Sequence, residues 1–76
     1  MNNSRRKRIN QSIATLTNAQ DKMRKALEEE KTALARIPDD DDHEEMRDAI
    51  DDIISNLDDS LSCLNDALDT LNGADF

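Results

Sequence analysis

Seventy-six residues with one glycine, one proline, one aromatic residue and 37% charged side chains leave few of the residues that build strands and turns. This composition points to an all-α fold in a single domain covering residues 1 to 76. One cysteine, Cys63, and one histidine, His43, exclude a disulfide framework and a structural zinc site, and no stretch is apolar enough for a signal peptide or a membrane span.

A chain this short buries only about 60% of its unfolded surface, so support from a second copy is expected. A lone thiol suits a reducing compartment, and a cytoplasmic location is the expectation. The formal charge of −8 hides a division. Residues 1 to 36 carry nine Lys or Arg against four Asp or Glu, whereas residues 37 to 76 carry one against fourteen. Halves of net charge +5 and −13 attract each other, and the surplus acid faces outward.

The first predicted element is a helix over about 4–37. Its apolar residues Ile9, Ile13, Leu16, Met23, Leu27, Leu34 and Ile37 recur in steps of four and three, with polar Gln20 and Glu30 filling the two gaps. This is a heptad seam with Ile13, Leu27 and Leu34 at a and Ile9, Leu16, Met23 and Ile37 at d. Asn3 or Ser4 is the expected N-cap, and Pro38 ends the helix because it forces its predecessor out of the helical region.

A loop over about 38–42 holds Asp39, Asp40, Asp41 and Asp42, the last matching a capping-box spacing with Glu45. The second helix is predicted over about 43–72, with a seam of Ile50, Ile54, Leu57, Leu61, Leu64, Leu68 and Leu71 and with Gly73 as C-cap. So short a loop joins antiparallel neighbours, which makes the fold a two-helix, coiled-coil-like hairpin. With Ile54 at a, e positions meet as Lys31 with Asp51 and Arg24 with Asp58, and Glu30 falls near Arg47. The g positions meet as Ala33 with Met46, Ala26 with Ile53, Ala19 with Ser60 and Ser12 with Ala67. That flank is small, apolar and uncovered. Ala19, Ala26, Ala33, Ile53, Leu57, Leu64 and Ala67 are therefore expected to help form a self-association face, closing two hairpins into a four-helix dimer.

No constellation for catalysis is present: carboxylates abound, but no cleft is predicted to desolvate one, and neither Cys63 nor His43 has a companion. A non-enzymatic protein is expected, with no cofactor and no metal. The aspartate run lacks the alternating ligands and central glycine of a calcium loop. Asp51, Asp52, Asp58, Asp59 and Asp66 fall at e and f positions and form an acidic stripe on helix 2, either a solvated face or a surface for a basic protein partner. Arg5, Arg6, Lys7 and Arg8 open helix 1. They are either neutralised by Asp69, Asp75 and the carboxyl end of helix 2, or available to a phosphate-bearing ligand, nucleotide or nucleic acid. The absence of a nearby aromatic residue to stack a base favours neutralisation. A membrane-surface role is disfavoured by the acidity of helix 2 and the terminal position of Phe76.

The opening Asn-Asn-Ser-Arg-Arg-Lys-Arg-Ile at residues 2 to 9, Ala-Leu-Glu-Glu-Glu at 26 to 30, and Glu45, Met46, Ala49, Ile50, Asp51 and Ile53 give the chain a family likeness. It resembles small uncharacterised helical proteins of bacterial prophages and mobile elements. The resemblance carries no activity over to any residue. It implies an expectation of a protein-binding role, such as inhibition of a host system by a small acidic protein. The alternatives are ligand capture by the basic helix ends and a purely structural oligomerisation module.

Overall fold

The computed structural model describes residues 3–73. It contains two long helices, α1 over Asn3–Arg36 and α2 over Glu44–Gly73, linked through one 3-10 turn at Asp41–His43. The helices pack against each other along their lengths, with no strand among the described residues. No helix is long and apolar enough to cross a membrane.

Long runs of Ala, Leu, Lys, Arg and Glu favour α1, and its hydroxyl side chains are accommodated by bonding backward to their own helix. Ser12 donates to the Arg8 carbonyl at 3.0 Å, Thr17 to Ile13 at 2.8 Å and Thr32 to Glu28 at 2.9 Å. The helix ends at Arg36, two residues before Pro38, and the Ile37 N–H tightens onto the Leu34 carbonyl at 3.2 Å. Asn3 and Ser4 already lie within α1, so neither is the N-cap expected of them.

The turn differs from expectation in its cap. Asp40, in extended backbone with φ −138° and ψ 169°, is the capping residue, and its carboxylate accepts from the His43 N–H at 3.1 Å. It also meets the His43 Nδ1 at 2.6 Å. Asp42, the expected cap, sits inside the 3-10 turn. A residue can cap only if its own backbone is extended, and the tight turn moves that position two residues earlier. At the other end Gly73 belongs to α2 and has no positive φ, so it is not the left-handed cap anticipated.

The register rests on two contacts across the hairpin. Gln20 Nε2 donates to Asn65 Oδ1 at 3.5 Å, and an Arg47 Nη donates to the Ile37 carbonyl at 2.8 Å. Both place the helices antiparallel and bring the two seams together: Ile9, Ile13, Leu16, Met23 and Leu34 face Ile50, Ile54, Leu57, Leu61, Leu64 and Leu71, all half-buried. Among the described residues Leu27 and Leu68 are the only buried apolar side chains, each 6% exposed, and Gln20 is buried with them at 7%.

Two helices alone enclose little. The molecule is a rod of 60 × 15 × 13 Å with a radius of gyration of 17.5 Å, where a globular chain of this length has about 11 Å. It exposes 5795 Å², against about 4,700 Å² for a compact protein of the same mass. The hairpin is held by one thin seam, and its flanks remain open.

Candidate interaction surfaces

The register decides which charges can meet. Gln20 lies level with Asn65 and Ile37 with Arg47, so Arg24 is displaced from Asp58, and Lys31 from Asp51, by two or three residues, about 3–4 Å along the axis. The expected cross-hairpin pairs do not form. Arg24 instead reaches Asp21 at 3.7 Å and Lys31 reaches Glu28 at 3.9 Å, each one turn away on α1. These side chains are about half exposed or more, where such pairs contribute only about 0.3–0.5 kcal/mol, so a small misalignment is enough to redirect them.

Arg47 is redirected for the same reason. It was expected near Glu30, but the register sets Glu30 level with Ile54, about 10 Å from Arg47 along the axis. The guanidinium turns to the end of α1, takes the Ile37 carbonyl and lies 3.8 Å from Asp39. It thereby satisfies one of the carbonyls that a terminating helix leaves without a partner. With a side chain only 28% exposed, Arg47 ties α1 to α2 at the turn. It also borders a concavity of about 320 Å³ shared with Asp39, Asp40, Asp41, Glu44, Asp48 and Asp51. No group of three His, Cys, Asp or Glu side chains among the described residues is arranged to hold a metal ion.

The acidic stripe is exposed at every position: Asp51, Asp52, Asp58, Asp59 and Asp66 all face solvent. Their carboxylates make no ion pair among the described residues, and Arg24 and Lys31, the expected partners of Asp58 and Asp51, find partners on α1 instead. The segregation extends further. All nine acidic residues of α2, from Glu44 to Asp69, occupy the b, e and f positions of its heptads. The g and c positions carry no charge at all: Met46, Ala49, Ile53, Asn56, Ser60, Cys63, Ala67 and Thr70 form an uninterrupted exposed stripe. Ala49, Asn56, Cys63 and Thr70 belong to no surface expected from the sequence, although the absence of charge at c is legible there.

The expected self-association residues divide in two. Leu57 and Leu64 are half-buried in the seam, and Ala19, Ala26 and Ala33 are half-buried on the α1 side of the flank. Ile53 is 45% exposed, with Met46 beside it at 55%, and Ala67 is exposed. The uncovered part of the flank therefore belongs chiefly to α2.

Arg5, Arg6, Lys7 and Arg8 lie exposed on the first turns of α1. Arg6 and Lys7 border a shallow concavity of about 440 Å³ with Asn3, Asn10, Gln11 and Ala14, and Arg8 borders another with Gln11, Ser12, Thr15 and Leu16. Asp69, one expected neutralising partner, is exposed on α2, while Asp75 and Phe76 lie outside the described residues. Comparison of the chain with protein-family models, curated proteins and solved structures finds no match.

Proposed function

We propose that this chain is a non-enzymatic binding module in which two helical hairpins pair along their uncharged flanks and present the acidic arc of α2 to a basic protein surface. The observation that carries the reading is the segregation of charge on α2. Nine acidic residues share one arc, the five central ones stand free of ion pairs, and the neighbouring arc has no charge. A surface that merely needs solubility mixes both signs, whereas a single-sign face steers and orients a partner of opposite charge. The uncharged stripe has the composition of a helix-bundle interface, and burying it would supply the core that a thin hairpin lacks.

The likeness to prophage and mobile-element proteins supports a host protein as that partner, with inhibition as the outcome of occupying its basic groove. The test is a pull-down from host lysate at low and at high salt with three forms of the chain. Wild type and a Lys22→Glu, Lys25→Glu variant retain a specific basic protein at low salt, and an Asp51→Lys, Asp58→Lys, Asp59→Lys variant loses it. Capture that survives reversal of the aspartates, or that disappears with reversal of the lysines, overturns the assignment of the binding face.

A further inference from the structure

The two ends of the rod differ in charge, and this bears on how two copies can lie together. At one tip Arg5, Arg6, Lys7 and Arg8 crowd four positive charges into a single turn or so of α1. At the other, residues 36 to 52 hold nine acidic side chains against Arg36 and Arg47. The exposed stripe from Met46 to Thr70 runs between these tips and is uncharged throughout.

Two hairpins facing each other across their flanks have two ways to satisfy twofold symmetry. With the axis along the rod, like ends coincide, and each acidic turn sits beside the other. Helices pack 8–10 Å apart, within the Debye length of about 10 Å at 0.1 M salt, so that repulsion is poorly screened. With the axis across the rod, each basic tip lies over the partner's acidic turn. The uncharged stripe of α2 then meets its own copy running the opposite way, with Ile53 close to the level of Cys63 and Met46 close to that of Thr70. The available area fits such a pairing. The stripe from Met46 to Thr70 is about 36 Å long, and across the 15 Å width of the rod it gives about 540 Å² per copy, which for two copies just clears the roughly 1,000 Å² of a biological interface.

From the charge arrangement and the uninterrupted stripe, we infer that the occupant of this face is a second copy of the chain docked end for end, its basic tip over the first copy's acidic turn. The inference rests on the dimer proposed above and adds its orientation. It also gives the basic run a role within the assembly, as the electrostatic counterpart of the partner's turn.

Spin-label distance measurement on the full chain separates the outcomes. In a Cys63→Ser background, Asn72→Cys carries one nitroxide per chain, on the exposed side of α2 away from the stripe. Sedimentation of the labelled protein reports its mass. An end-for-end dimer places the two labels about 40 Å apart, because residue 72 lies about fourteen residues from the middle of the stripe in each copy. Matched ends place them within about 25 Å, the diagonal of a four-helix bundle plus the labels. A dimer with the long distance supports the inference. A dimer with the short distance overturns the orientation and leaves the dimer standing, and a well-folded monomer at tens of micromolar overturns both.

Discussion

Replacing Gln20 with leucine should stabilise the hairpin, and the size of the gain follows from what the amide does. Gln20 is 7% exposed, and its cross-hairpin hydrogen bond, to Asn65, spans 3.5 Å, the outer edge of a useful length. A neutral bond of that kind contributes about 0.5 kcal/mol. Asn65 is exposed, so its side chain returns to water without penalty once the bond is lost. A leucine in the same slot between Met23 and Leu16 buries apolar surface worth about 1.5–2 kcal/mol, toward the low end for leucine because the groove is open on its flanks. The net change is about +1 to +1.5 kcal/mol, or about 4–8 °C in Tm for each kcal/mol. Urea denaturation followed by circular dichroism at several fixed chain concentrations measures it. The leucine should also erase a polar marker of register, broadening the distribution of assemblies seen by sedimentation. A loss of 1 kcal/mol or more would refute the reasoning, because the amide would then be contributing well beyond that one long bond.

Leu27→Ala and Leu68→Ala each remove one of the best-buried side chains of the seam and should lower stability by about 2–3 kcal/mol, read by the same denaturation experiment. Arg24→Ala and Lys31→Ala break only exposed contacts within α1 and should change stability by less than about 0.5 kcal/mol; a larger effect would mean that cross-hairpin pairs with Asp58 or Asp51 form in solution. Asp40→Ala should cost about 1 kcal/mol and Asp42→Ala much less, since Asp40 bonds the His43 N–H and Asp42 does not cap; equal effects in thermal melts would contradict the observed cap.

The leucine seams were legible because burial imposes a period on sequence, and no neighbour competes for a position that must be apolar. The antiparallel hairpin follows from those seams and a loop too short for any other path. Charge pairing was less legible for a physical reason. An ion pair between exposed, flexible side chains is worth a few tenths of a kcal/mol. Heptad letters assign partners without specifying an offset of 3–4 Å, which is enough to hand Arg24 to Asp21 and Lys31 to Glu28. Arg47 shows the same limit: its partner is a backbone carbonyl at Ile37, which no side-chain pattern reveals. The aspartate run announced a cap, but four consecutive candidates left the choice to backbone geometry, and extended φ and ψ at Asp40 settled it. On the candidate surfaces, the acidic stripe could be read from the sequence. The charge-free stripe beside it could not be recognised from g positions alone.

The connecting chain, the Asp40 cap and the Arg47 clasp on Ile37 gather strong ties between the two rods at the turn. Farther along, from Leu34 to Leu16, side-chain packing and one long amide contact at Gln20 carry the pairing. The pair is therefore built like tongs, hinged where the aspartates cluster, with the middle of the rods parting at lower cost than the hinge.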